Sequence, residues 1–121
     1  MTVRLLVLIS LLLCSAAGNL HARDPQADQE IEHLLGYVEK SDARFIRNGT
    51  EYSAKEGADH LRDKLKSAGE RVKTAEDFIT GVATKSYLSG KPYLVKTKDG
   101  GTRPVGPWLA EALAAHRKTA G

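Results

Sequence analysis

The first regular spacing of hydrophobic residues follows Asp24-Pro25, and its period is that of an α-helix. Asp24 is a suitable N-cap, and Pro25 suits the first helical position, where no amide hydrogen is needed. The pattern therefore predicts a helix over Pro25–Lys40. Its buried stripe comprises Ile31, Leu34, Leu35 and Val38, and the side chains expected to meet water are Glu30, Glu32, His33 and Glu39.

Strand-forming residues come next, around Phe45-Ile46 and again at Thr50 and Tyr52. Between them stands Asn48-Gly49, a strong two-residue turn, because a type I′ turn needs positive φ at both of its central positions. The segment 43–52 is therefore predicted to form a β-hairpin.

Two capping motifs open the next helices. In Ser53-Ala-Lys-Glu56 the serine hydroxyl is placed to accept the Glu56 amide while the carboxylate reaches back, and Thr74-Ala-Glu-Asp77 has the same form. Gly69 is expected to end the first of these two helices. The inward-facing residues are predicted to be Ala54, Ala58, Leu61, Leu65 and Ala68 in the second helix and Phe78, Ile79, Val82 and Ala83 in the third.

The C-terminal part predicts a second hairpin and a last helix. A polar linker over 86–90 leads to a strand over Pro92–Thr97, and Asp99-Gly-Gly turns the chain into a short edge strand over Thr102–Val105. Pro104 belongs at an edge because it cannot donate a ladder hydrogen bond. The last helix is expected to start at Gly106-Pro107 and to bury Trp108, Leu109, Ala112 and Leu113.

These elements predict an α+β fold in which four helices pack on a small antiparallel sheet made from two β-hairpins. The pattern leaves open whether the two hairpins share one sheet.

The N-terminal segment Met1–Ala22 has the three zones of a cleavable signal peptide: a short basic start, the apolar run 5–13 and a stretch of small residues. The apolar run is too short to span a bilayer, which takes roughly 20 residues. Cleavage is expected after Ala17, Gly18 or Ala22, with Ala22 preferred because a polar segment follows it. We therefore expect a periplasmic or secreted protein without a stable membrane anchor.

Cleavage at Ala22 removes 22 of the 121 residues and leaves 99 as one small globular domain, residues 23–121. It also removes Cys14, the only cysteine, so the domain has no disulfide. Lipidation of Cys14 is disfavoured because Leu13 is too bulky for that processing site. The mature chain keeps 17 of the 18 Lys and Arg residues against 15 Asp and Glu, interleaved along the chain, and no nucleic-acid partner is expected.

Six segments, taken in this order along the chain, are 30–36, 45–52, 58–61, 74–79, 89–93 and 108–109. Together they resemble a known family, the small exported bacterial proteins grouped as the domain of unknown function DUF5329. The resemblance covers nearly all of the mature chain and implies a bacterial exported protein, with no activity and no catalytic residue. Gly57 departs from the pattern, because a better helix former is expected there and glycine costs about 0.8–1 kcal/mol in a helix.

Among titratable residues, His60 is the first candidate for chemistry. Glu56 and Lys64 stand four residues before and after it, so all three share one helix edge. One interpretation is a general acid/base pair of Glu56 and His60, with Tyr52 nearby, in a small envelope hydrolase or transferase. The favoured interpretation leaves Glu56 in the capping box and places His60 at the boundary of the core, bonded to a backbone group.

No metal or cofactor is expected. The four histidines His21, His33, His60 and His116 are scattered, without a pair at helical spacing or a cysteine that the mature chain retains.

The segment 86–93 is the best candidate for recognition, because its hydroxyls, tyrosines and lysine lie on an adaptable loop. Two arginines of the first hairpin add fixed cations. We therefore expect a non-enzymatic binding protein whose partner is an envelope protein or an anionic envelope component. An alternative role as a folding helper needs an exposed apolar patch. The candidate binding residues are Arg44, Arg47, Tyr52, His60, Tyr87, Ser89, Lys91 and Tyr93.

Overall fold

A computed structural model describes residues 23–120. The predicted signal peptide, its cleavage sites, Cys14 and His21 lie outside these residues. The chain contains a 3₁₀ turn, Gly69–Arg71, and a π-helical turn, Ile79–Ala83. The helices are α1 (Pro25–Lys40), α2 (Ala54–Ala68), α3 (Ala75–Phe78) and α4 (Val105–Ala120), and the strands are β1 (Arg44–Arg47), β2 (Thr50–Tyr52), β3 (Leu94–Lys96) and β4 (Thr102–Pro104).

The capping interactions form as predicted. The Asp24 carboxylate accepts the amide of Gln26 at 2.9 Å, and the Ser53 and Thr74 boxes are both complete. Asn48 and Gly49 have φ angles of 52° and 82°, as the hairpin turn requires.

The two hairpins share one antiparallel sheet with the strand order β2-β1-β3-β4. β1 and β3 join them, with Phe45 opposite Val95. β4 is an edge strand, as the position of Pro104 predicted. The predicted α+β fold is confirmed.

The core lies between the helices and one face of this sheet. β1 and β3 contribute Phe45 and Val95. The predicted apolar residues of the helices and of the π-helical turn face this core, except Ala54, which lies outside the core cluster. Trp108 is 6% exposed, and its ring centroid lies 4.9 Å from that of Tyr37 on α1. Within residues 23–120, no helix combines the length and apolar character needed to cross a membrane.

Glu30 was expected to meet water, and this expectation is wrong: the residue is 5% exposed. Arg117 of α4 reaches it with two hydrogen bonds, from Nε to Oε2 at 2.8 Å and from Nη2 to Oε1 at 3.0 Å. These bonds hold the pKa of the Glu30 carboxyl below its ordinary value. Burial of the carboxylate is tolerable because the guanidinium supplies its counter-charge.

Candidate functional site

A groove of about 290 Å³ lies between the first hairpin and α2. Arg47 ends β1 on one side of it, and His60 lies in the middle of α2 on the other. Gly57 and Phe45, where α2 lies against β1, also line it. The full lining is Phe45, Arg47, Tyr52, Glu56, Gly57, Asp59, His60 and Asp63.

His60 connects this groove to the core through two side-chain contacts. Its Nδ1 lies 3.4 Å from Arg47 Nη1, and its Nε2 lies 3.1 Å from the Tyr93 hydroxyl. Because a guanidinium only donates, we assign Nδ1 as the acceptor and the ring proton to Nε2, which donates to Tyr93. Burial, followed by repulsion from Arg47 and Lys64, lowers the pKa of His60, so the imidazole is neutral at pH 7.

Lys64 lies one turn after His60 and was not among the candidate binding residues predicted from the sequence. Its Nζ donates to Val82 O at 2.7 Å, to Lys85 O at 2.9 Å and to the Tyr93 hydroxyl at 2.9 Å. Val82 belongs to the π-helical turn, and Lys85 lies two residues beyond its end. Its spacing of four residues from His60 was the available sequence signal.

The surroundings of the Lys64 ammonium are aromatic. The Tyr87 and Tyr93 ring centroids lie 4.0 and 4.6 Å from Nζ. Burial, with a contribution from Arg47, lowers the pKa of Lys64 to about 8.

The guanidinium of Arg47 lines the groove without an ion-pair partner among the described residues. It lies 5.9 Å from the Tyr52 ring centroid, and among residues 23–120 no carboxylate lies within ion-pairing distance of it. Its positive charge contributes to the lowered pKa values of His60 and Lys64.

The three carboxylates that line the groove differ in their hydrogen-bond and ion-pair partners. Glu56 Oε1 accepts a hydrogen bond from the Ser53 amide at 3.0 Å in the capping box. Asp59 accepts hydrogen bonds from the side chains of Lys55 and Arg62, both at 3.0 Å. Asp63 acts on His60 only through its charge, which opposes the lowering of the His60 pKa. The Glu56–His60 pair of the enzymatic interpretation is not formed, because His60 bonds to Arg47 and Tyr93 instead.

Arg44 lies on the other face of the sheet. Side chains alternate along a strand, so two residues three positions apart point to opposite faces. Arg47 shares the helix-covered face with buried Phe45, whereas Arg44 is exposed and pairs with Glu51 at 4.0 Å. The expectation of one recognition surface containing both arginines is therefore wrong, and the strand period alone would have separated them.

The loop 86–93 packs beside the hairpin turn. Ser89 Oγ donates to Asn48 Oδ1 at 2.5 Å, and the Tyr87 hydroxyl donates to the Gly81 carbonyl. Lys91 is exposed. The structure thus places Arg47, Tyr52 and His60 in the lining of the groove and Tyr93 behind His60. Tyr87 lies over Lys64, and Ser89 and Lys91 lie outside the groove.

In the described part of the chain, no group of three or more His, Cys, Asp or Glu side chains is placed to bind a metal ion. His33 and His116 stack at a centroid distance of 4.0 Å.

Residues 25–117 match a family of unknown function, DUF5329. The chain belongs to the DUF5329 family. It is also 38% identical over 88 residues to the uncharacterized protein YfeK of Salmonella typhimurium strain LT2, an alignment that covers 72% of this chain and 71% of that protein. No solved structure matches the chain.

The family match confirms the resemblance found in the ordered sequence segments. Every residue that lines the groove, and both Lys64 and Tyr93 behind it, fall within the part of the chain that matches DUF5329.

Proposed function

We propose that this DUF5329 protein is an exported, non-enzymatic binding domain that receives an anionic group of an envelope protein or envelope component on Arg47. The observation that supports binding at this point is the half-buried guanidinium without a carboxylate partner among the described residues. A charge withdrawn from water is stable when a counter-charge and hydrogen bonds replace its hydration. A ligand carboxylate or phosphate supplies both, because it accepts two parallel hydrogen bonds from a guanidinium.

The neutral state of His60 favours this role for Arg47. With Nδ1 accepting from Arg47 and Nε2 bonded to Tyr93, the imidazole orients the guanidinium without adding a second positive charge. The Tyr52 ring faces the guanidinium and limits its freedom further. An arginine held in this way loses less conformational entropy when a ligand binds.

The opposite wall of the groove restricts the class of anion. Asp63 has no ion pair in residues 23–120, and Glu56 and Asp59 add further negative charge. A polyanion brings several charges close to these carboxylates and is repelled, whereas one terminal or side-chain carboxylate, or one phosphate monoester, reaches Arg47 alone. The proposed ligand group is therefore a single anionic group.

The contacts of Lys64 and Tyr93 support binding over catalysis. All three donors of the Lys64 ammonium are used inside the protein, and Tyr93 is 1% exposed. A general base must reach a substrate proton directly or through one water. Neither group has that access in this arrangement.

Export is supported by the Met1–Ala22 pattern and is compatible with the contacts of Arg23. Arg23 Nε donates to Val72 O at 2.7 Å, and Nη2 donates to Gly69 O at 3.3 Å. Cleavage after Ala22 keeps this side chain in the folded protein. N-terminal sequencing of protein recovered from the periplasm is expected to begin between Gly18 and Arg23; a full-length cytoplasmic species or a lipidated Cys14 would contradict the proposal.

The binding site is tested with two matched arginine variants. The ¹⁵N-labelled protein is titrated with acetate and with inorganic phosphate, and the Nε–H resonance of Arg47 is followed. Wild type and Arg44→Ala are expected to show saturable shifts that weaken with added salt, because salt screens exposed charges. Arg47→Ala is expected to lose the accompanying shifts of the Gly57 amide.

The same variants serve for capture of partners from bacterial envelope extracts. A genuine ligand is retained by wild type and by Arg44→Ala and is lost with Arg47→Ala. If every captured molecule is retained equally by a folded Arg47→Ala variant, the proposed site is wrong.

A further inference from the structure

The turn between the π-helical segment and β3 presents two apolar side chains to solvent. Leu88 is 96% exposed and Tyr87 is 62% exposed. We call the segment from Lys85 to Pro92 the tip loop. Exposure of a leucine to this extent leaves its whole apolar surface hydrated, which favours any apolar environment that it reaches.

Backbone hydrogen bonds hold the tip loop in shape. Lys85 and Pro92 form an antiparallel bridge at its base. Within it, the Ser86 amide donates to Lys91 O at 3.0 Å, and the Gly90 amide donates to Ser86 O at 2.8 Å. The exposure of Leu88 is therefore a feature of an ordered turn. A preorganised apolar group binds with a smaller entropic cost than one on a mobile loop.

The chain on both sides of the tip loop is basic. From Phe78 to Lys98 the chain has no Asp or Glu, and it has four lysines, two of which, Lys85 and Lys91, bracket the apolar pair. Both of these lysines are exposed. Aromatic and aliphatic side chains beside lysines are typical of segments that insert into the interface of an anionic bilayer.

We propose that the tip loop docks this protein on an anionic membrane surface, with Leu88 entering the interfacial region and Lys85 and Lys91 contacting lipid phosphates. A bilayer fits this feature better than a protein partner because the apolar area is small. Stable protein interfaces bury about 800 Å² on each side, whereas an inserted leucine with flanking lysines contributes to weak, reversible binding at an anionic membrane surface.

Vesicle binding tests this proposal with the full chain as exported and purified. Sedimentation with vesicles of phosphatidylglycerol and phosphatidylethanolamine is expected to retain the wild-type protein, and neutral phosphatidylcholine vesicles are expected to retain much less. Leu88→Ser is expected to lower the partition coefficient about tenfold, in keeping with the free energy of burying a leucine. The paired change Lys85→Ala and Lys91→Ala is expected to lower it by a similar factor on anionic vesicles only.

Two controls distinguish membrane binding by the tip loop from binding through overall positive charge and from binding through the groove. The paired change Lys73→Ala and Lys118→Ala removes two exposed lysines elsewhere and is expected to retain most of the binding. Arg47→Ala is expected to leave the effect of Leu88→Ser unchanged, because this proposal does not depend on the groove. Leu88→Trp adds a reporter whose emission is expected to shift to the blue when anionic vesicles are added.

Equal sedimentation of wild type and Leu88→Ser would overturn the proposal, as would the absence of any binding to anionic vesicles. Loss of a captured envelope protein from Leu88→Ser, without vesicle binding by wild type, would identify the tip loop as a protein-binding element instead.

Discussion

Gly57 on α2 lies so close to Phe45 on β1 that a Cβ atom on the glycine would stand 2.6 Å from Phe45 Cγ. From sequence alone, Gly57 was a weak position in a helix. The structure shows why glycine is suited to it: the hydrogen on its Cα lets the helix approach the sheet at this point. The helix propensity that is lost, about 0.8–1 kcal/mol, is offset by packing that a methyl group would prevent.

Gly57→Ala is therefore expected to destabilise the protein by about 1–3 kcal/mol, although alanine is the better helix former. The control is Gly36→Ala in α1, where an added Cβ meets nothing within 4 Å. That change is expected to stabilise the protein by about 0.5–1 kcal/mol. Urea unfolding measures both, and equal stabilisation by the two changes would contradict the packing argument.

The buried Glu30 depends on Arg117 for its counter-charge. Arg117→Met is expected to destabilise the protein by about 2 kcal/mol at neutral pH, less than for a fully buried pair because the Arg117 side chain is 43% exposed. Arg103→Met, which removes an exposed pair with Glu111, is the matched control and is expected to cost less than about 1 kcal/mol. Similar losses for both variants in urea would contradict the assignment.

Acid is expected to weaken the fold through His60. Its folded-state pKa lies below the ordinary value of 6.5, so the unfolded chain binds the proton more readily. Stability from this group is thus present above pH 6.5 and is lost as pH falls through the folded-state pKa. The decline reflects burial of the imidazolium beside Arg47 and Lys64, which the charge of Asp63 only partly opposes.

The measurement for His60 is the thermal midpoint of wild type and His60→Gln at intervals from about pH 7.5 to pH 5. The difference between the two is expected to shrink as pH falls. His33→Gln is a necessary comparison, because burial and the stacked His116 lower the pKa of His33 as well. A difference between wild type and His60→Gln that is constant over this range would refute the prediction.

The lowered pKa of Lys64 predicts a second effect of pH on folding stability, at alkaline pH. Its pKa falls from 10.5 to about 8 in the folded protein, so between these values the unfolded chain holds the proton more tightly. The contribution of Lys64 to stability therefore rises with pH from about 8 to 10.5. Lys64→Met is expected to remove this rise in urea unfolding, whereas Lys73→Met, at an exposed position, should preserve it.

Trp108 is the buried aromatic anchor of α4 against α1. Trp108→Ala is expected to cost about 3–5 kcal/mol, because it removes a large buried ring and leaves a cavity. Since the sequence contains one tryptophan, the native emission reports on this site directly. Emission typical of a water-exposed indole in the folded protein would contradict the packing.

Sequence reasoning predicted the local architecture closely. The bounds of α1, the Asn48-Gly49 turn and the two capping boxes follow from interactions between residues at most four positions apart. Such interactions depend on side-chain types and backbone preferences that are visible in any short window of sequence. The same holds for the buried stripes of the helices, whose period is set by helix geometry.

The candidate site was predicted only in part. Arg47, Tyr52, His60 and Tyr93 were among the predicted binding residues, and the structure brings them together. Their contacts were not predictable, because His60 and Tyr93 are 33 residues apart and Arg47 and His60 are 13 apart. Lys64 was missed for the same reason: its acceptors lie 18 to 29 residues further along the chain.

By itself, the sequence determined which segments are helices and strands and which of their faces are apolar, because short-range geometry decides these properties. The tertiary structure alone decided that β1 pairs with β3, that Glu30 is buried under Arg117, and that Gly57 must be small where α2 meets Phe45. These outcomes depend on which distant surfaces meet. Pairing over such separations is selected by the summed burial and hydrogen bonding of the whole fold, which no local pattern encodes.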